Sequence, residues 1–293
     1  MSLGFHTVSL LLHDETTAVK ELAAMGYTSV AIRPRLSGLN PYAKHVVESM
    51  QCFGDAAKRL DVQVVLETQA PFLCDASLAS ADIGESAKAK AWIDICMQVA
   101  RDYISDDVIL VIESGKSNTS ADTGGLSKDA GTGIELAGGK SADEEPLERL
   151  AFQIDTLLRQ ADSRGLRLAI RPRTGNVIAK VTHFQRLCQW LGGPHRLYLA
   201  ADTAQMMIGG EFPIGERLAL NASELACVFL TDPETTSVAS RNAASVSDLP
   251  GRVDLSRVVQ SIRRQEILVP MIVQIDGQSE RGLEIAREAW AKL

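Results

Sequence analysis

The pentapeptide AIRPR occurs twice, at 31–35 and at 169–173, and each copy places two arginines where a short apolar run ends. Guanidinium forks suit carboxylates and phosphates, which they can grip through two parallel hydrogen bonds. Two such cations converging on one cavity repel each other unless something anionic answers them. The chain can supply that anion itself through Glu67, Glu113 or Asp202, or leave it to a bound ligand, and the sequence is compatible with both. Glu113 ends the run VIESG and Asp202 the run LAAD. A carboxylate beside other charges, or in a dry cavity, can shift toward neutrality and move a proton, so these two are the candidate catalytic groups. For each, the alternative is a carboxylate that only orients an arginine. Gln69, Asp232 and Gln274 also stand at the ends of apolar runs. With Arg33, Arg171 and Arg173 they form the candidate ligand-binding set.

Histidine and cysteine add little to this chemistry. His6 lies inside the first apolar run and can point inward, whereas His13, His45, His183 and His195 fall in helical or loop stretches where surface or packing roles are expected. No histidine pair has metal-ligand spacing. The five cysteines are scattered and odd in number, with no CxxC, which suits a reduced, cytoplasmic chain with mostly buried thiols. A net charge of −7 argues against a nucleic-acid partner. The opening MSLGFHTVSLLLHDE lacks a basic leader region, and no stretch is apolar enough for a bilayer, so no membrane association is expected.

The elements that must hold these residues alternate regularly. Apolar strand-like runs at 3–12, 28–34, 61–68, 106–115, 166–172, 195–202, 225–232 and 269–277 are separated by amphipathic helical patterns, clearest at 15–26, 84–102, 145–165 and 279–293. Asp14 is a natural N-cap and Gly26 a natural stop for the first of these helices. Continuously apolar strands indicate a parallel sheet buried on both faces. Eight repeats in 293 residues predict one α/β domain, a closed (β/α)8 TIM barrel spanning 1–293. Strand alternation then turns Ala31 and Arg33, and likewise Ala169 and Arg171, toward the barrel axis, with Ile32 and Ile170 facing the helices. Two long Gly-, Ser- and Ala-rich connections, 116–145 and 233–252, follow strands and so belong to the face that carries active sites, as flexible insertions or as lids.

In this order and spacing the chain resembles the xylose isomerase-like TIM-barrel superfamily of sugar-phosphate isomerases and epimerases, with endonuclease IV-type enzymes as relatives. The likeness runs nearly end to end through GFHTVSLLL, ELAAMGYTSVAIR, QAPF, VIESG, LERLAFQIDTLLRQADSRGLRLAI, LAADTAQ, VFLTD, PGRVDL and IVQIDG. The resemblance implies a divalent metal held by two glutamates, an aspartate and a histidine at the strand ends, with the glutamates moving protons. At those positions this chain keeps Asp202 and the nearby Asp232 but has Arg171 for the fifth-strand glutamate. It has Gln205 and Phe229 for histidines, Gln274 for the eighth-strand glutamate, and Gln69 and Glu113 for histidines of the third and fourth strands. A guanidinium in a metal's place opposes a dication by Coulomb repulsion, so no metal and no other cofactor is expected. The resemblance therefore implies a sugar or sugar-acid isomerase or epimerase acting without the usual metal on a small anionic or polyhydroxyl metabolite. The alternative is a non-catalytic ligand-binding or scaffold descendant. Either is compatible with a homo-oligomer.

Overall fold

The computed structural model describes residues 2–34, 43–70, 77–116, 144–193, 196–231, 254–275 and 281–293. Eight parallel strands close on themselves in sequence order. They are β1 (Ser2–His6), β2 (Ser29–Ile32), β3 (Gln63–Glu67), β4 (Ile109–Ile112), β5 (Arg167–Ile170), β6 (Tyr198–Asp202), β7 (Leu225–Leu230) and β8 (Pro270–Val273). The ring is completed where β1 pairs with β8 as well as with β2. Among the described residues the helices are α1 (Glu15–Ala24), α2 (Val46–Arg59), α3 (Ile83–Val99), α4 (Glu144–Arg164), α5 (Val181–Trp190), α6 (Thr203–Ile208), α7 (Ile214–Leu220), α8 (Leu255–Arg264) and α9 (Gly282–Lys292). None of them is long and apolar enough to cross a membrane. The fold is the TIM barrel that the eightfold alternation predicts.

Local chemistry sets the helix boundaries. Asp14 caps α1, its carboxylate accepting the Thr17 N–H at 2.9 Å, and Gly26, at φ +103°, takes the left-handed conformation that ends the helix. Asp82, Asp202 and Asp254 cap α3, α6 and α8 in the same way. The first strand is shorter than its apolar run suggests. After His6 the chain turns into a 3₁₀ segment, Thr7–Ser9, because the His6 ring accepts the Val8 N–H and tightens the backbone there.

Two buried layers result from the alternation of side chains along each strand. Ile32 and Ile170 join the large apolar layer between sheet and helices. Ala31 and Ala169 join Val65, Val111, Ala200, Cys227, Phe229 and Ile272 in a separate cluster inside the barrel. The interior is crowded at its lower end. A Cβ on Gly4 would run into the Ile272 side chain and into Ser29, so glycine is what lets β1 and its neighbours close there.

Candidate functional site

The next inward position along each strand, above the apolar interior, is polar on at least seven of the eight strands: His6, Arg33, Glu67, Glu113, Arg171, Asp202 and Gln274. Ile32 stands opposite Leu66, which sets Arg33 level with Glu67, and Asp202 stands opposite Phe229, while the polar positions step up by two residues where His6 pairs with Ala31, Glu67 with Val111 and Phe229 with Ile272.

Arg171 occupies the centre. Its Nε and Nη2 donate to Asp202 Oδ2 at 3.0 and 2.5 Å, and Nη2 also donates to Gln274 Oε1 at 3.0 Å. Nη1 forms a short ion pair with Glu67 Oε1. Burial pulls the Arg171 pKa down, but Asp202 and then Glu67 more than reverse this and hold it above the ordinary guanidinium value. Burial likewise pushes the Glu67 carboxyl up, and Arg171 and then His6 outweigh that, holding it well below the usual carboxylate range.

His6, fully buried, donates from Nε2 to Glu67 Oε2 at 2.8 Å. Its Nδ1 accepts the Val8 N–H at 3.0 Å, which leaves the ring proton on Nε2 and the imidazole neutral. Burial lowers its pKa, with Glu67 opposing. The result is a continuous chain from His6 through Glu67 and Arg171 to Asp202. Asp202 is saturated, because its other oxygen, Oδ1, accepts the Gln205 N–H at 3.1 Å and the Thr231 hydroxyl through a short bond.

Nearer solvent, Glu113 accepts from Arg173 Nη1 at 3.1 Å and from the Asn176 amide at 3.2 Å. Arg173 is 58% exposed and Glu113 only 16%. Glu113 also lies close enough to Arg171 to help raise its pKa. The two AIRPR copies therefore do different work. Arg171 is bound up in the barrel's own acids, while Arg33, half-buried, acts on His6 and Glu67 through its charge but makes no hydrogen bond or ion pair among the described residues. Both amide atoms of Gln69, two residues beyond Glu67, are inaccessible to solvent and lack a hydrogen-bond partner among the described residues. Asp232 and both long connections, at 117–143 and 232–253, lie outside the described residues, as do Arg35 and His195.

The structure thus brings Arg171, Asp202 and Gln274 into one network and sets Glu113 with Arg173 beside it. Two participants were legible only in part. Glu67 is recognisable in the sequence as an acid for an arginine, and His6 as a residue able to face inward, but neither stands out as a site residue. The signal is parity: Val65 to Glu67 and Gly4 to His6 follow the same alternation as Ala31 to Arg33.

These residues do not form a good seat for the divalent ion that the family resemblance implies. The carboxylates Glu67 and Asp202 already face a guanidinium, Gln274 accepts from that same group, and Phe229 offers no ligand atom. Among the described residues no three His, Cys, Asp or Glu side chains gather as they would around an ion.

Comparison with known proteins places this architecture. The family model described as "Xylose isomerase-like TIM barrel" matches residues 19–291. No curated protein sequence matches the chain. Among solved structures, an L-ribulose 3-epimerase superposes with a TM-score of 0.71 at 14% identity, covering 99% of this chain and 93% of the other. D-Psicose 3-epimerase from Clostridium cellulolyticum H10, solved with D-tagatose, gives 0.70 at 12%, covering 99% and 97%. The 3-keto-D-glucoside 4-epimerase of E. coli, in its apo form, gives 0.72 at 12%, covering 99% and 98%. At such identities the likeness speaks for the fold, and the family match extends it: the chain belongs to the xylose isomerase-like TIM-barrel family.

Proposed function

We propose that this barrel is an isomerase or epimerase of a small sugar-like or anionic metabolite, working without the usual divalent ion. The observation that carries the reading is the convergence of acids and guanidinium groups at the C-terminal strand ends, where barrels of this kind keep their chemistry. Proton transfer next to a carbonyl needs a base that can approach the substrate and a positive group for the enediolate that develops. Glu113 is the better placed base, because its partners are a largely exposed arginine and a side-chain amide that a ligand can displace. Asp202 is the second candidate, and its four hydrogen bonds favour a role in fixing Arg171. Arg33, Arg171, Arg173, Gln69, Gln274 and Asp232 form the ligand-binding set. That several structural neighbours are sugar epimerases agrees with this reading.

A second reading is favoured by one specific observation. The buried carboxylates are consumed by internal pairing, as in a barrel that keeps a ligand pocket and has lost its chemistry. A panel of sugars and sugar acids, scored for both thermal shift and turnover, separates the two. Glu113→Gln should lower kcat by about 100-fold or more on any substrate that turns over, with binding retained. Unchanged turnover in Glu113→Gln, Asp202→Asn and Arg171→Lys would refute the catalytic reading, and binding with no turnover anywhere in the panel would establish the second.

A further inference from the structure

We infer that the ligand is a monocarboxylate, a sugar acid, whose carboxylate sits on Arg33 with the Gln69 amide beside it. This inference rests on the sugar-like ligand proposed above and narrows its class. Three observations lead to it. The first is the pairing of the inward arginines. Arg171 has Glu67 and Asp202, and Arg173 has Glu113, whereas Arg33 has no hydrogen-bonded counter-ion among the described residues although it is half-buried. A partly desolvated guanidinium without an acceptor is costly, and a carboxylate is the planar two-oxygen group that fits its fork.

The second observation is Gln69. Register puts Arg33 level with Glu67, and the ladder continues one residue past β3, where the Thr68 N–H donates to the Val111 carbonyl at 2.9 Å. The alternation that turns Val65 and Glu67 inward therefore carries on to Gln69, diagonally above Arg33 on the adjacent strand. Its amide offers a donor and an acceptor together, both unmet. A hydroxyl next to a carboxylate supplies the matching pair, so the two residues together fit a 2-hydroxy acid end.

The third observation is how the charges are distributed at the mouth. Among the described residues Glu67 and Asp202 are paired with Arg171 and Glu113 with Arg173, and His6 is neutral, so Arg33 is left without a paired carboxylate. One added negative charge pairs with Arg33. A phosphate dianion would bring a second charge against Glu67 and Glu113 with no cation left for it. A neutral sugar would leave Arg33 unmatched.

The test is calorimetric titration of the full chain with aldonates of five and six carbons, with the matching neutral aldoses and ketoses, and with inorganic phosphate. At least one aldonate should bind about ten-fold or more tighter than its neutral counterpart. Arg33→Met should remove about ten-fold or more of that affinity, Arg33→Lys should recover part of it, and added salt should weaken it. If Arg33→Met does not fold, as judged by its thermal unfolding without ligand, Gln69→Leu replaces it and should weaken the same acid. Equal binding of acid and neutral sugar, tighter binding of phosphate, or failure of every aldonate to bind overturns the inference. Because the readout needs no turnover, acid binding through Arg33 without turnover sinks only the catalytic reading. Turnover of a neutral sugar that Arg33→Met leaves unchanged sinks only this one.

Discussion

The Arg171 guanidinium lies over the ring of Phe229, with Cζ 3.9 Å from the ring centroid. The cation therefore meets carboxylates and an amide oxygen around its edge and an aromatic face on its side. In the family resemblance drawn from the sequence, Phe229 falls at a histidine position and Arg171 at a glutamate position. The two departures fit each other physically: an arginine brought into this position needs a π face where a ligand nitrogen would serve a metal instead.

That coupling is measurable. Arg171→Met leaves Glu67 and Asp202 as buried charges without their cation, and a loss of about 3–5 kcal/mol of stability is expected in urea unfolding. Phe229→Leu keeps an apolar side chain and removes the π face. In a double-mutant cycle the pair should show a coupling of about 2 kcal/mol, the size expected for a desolvated cation–π contact. A coupling near zero would mean that Phe229 is only filling space.

The pH dependence follows from His6. In the unfolded chain its imidazole titrates near 6.5, and in the folded barrel burial, the leading influence, holds its pKa below that. Between the two values the unfolded state binds more protons, so stability is fully present above 6.5 and falls as the pH drops through this window. The slope from one such group can reach about 1.4 kcal/mol per pH unit. Glu67 acts in the same direction lower down. Its contribution is complete above the ordinary carboxylate value of 4.5 and is lost as the pH falls toward its depressed folded value. Chemical denaturation should therefore show the wild-type stability falling as the pH is lowered from 7 to 5, and His6→Gln should flatten that part of the curve, because glutamine can still donate to Glu67 but does not titrate.

Packing below the site gives a third test. Gly4→Ala forces a methyl group against Ile272 and Ser29 inside the barrel. Overpacking of this kind costs about 1–3 kcal/mol, so the variant should unfold at lower urea with an unchanged m-value. A neutral result would mean that β1 can shift outward at its lower end.

Much of this architecture was readable from residue pattern alone, and the parts that were not have physical reasons. Strand parity placed Ala31 and Ala169 inside and Ile32 and Ile170 outside, because one side chain per strand step must face each layer. The same rule reaches His6 and Glu67, but it says nothing about pairing. Whether Arg33 or Arg171 would capture the acids depends on which strands stand across the barrel from each other, and the choice of Arg171 appears only in three dimensions. The 3₁₀ turn after His6 was hidden because Thr7–Ser9 continues an apolar run, and its cause is one ring nitrogen accepting a backbone N–H. The short helices α6 and α7 leave little trace in the residue pattern, since at 6 and 7 residues neither is long enough to show a helical period.

The last prediction concerns the ion that the family resemblance implies at the position of Arg171. In the wild type, manganese entering between Glu67 and Asp202 would have to break the guanidinium contacts and sit beside a fixed positive charge, so millimolar manganese should leave the thermal midpoint unchanged. Arg171→Glu reverses the electrostatics. It sets a third carboxylate among Glu67, Asp202 and the Gln274 oxygen, a group of hard oxygen donors that repel each other until a cation joins them. That variant should be strongly destabilised alone and regain stability as manganese is added, by about 2.7 kcal/mol when the ion is at a hundred times its dissociation constant. Glu67→Gln in the same background should weaken the recovery. If the wild type gained as much from manganese as the variant, the guanidinium would not be holding the ion's position, and the metal-free reading of this barrel would fail with it.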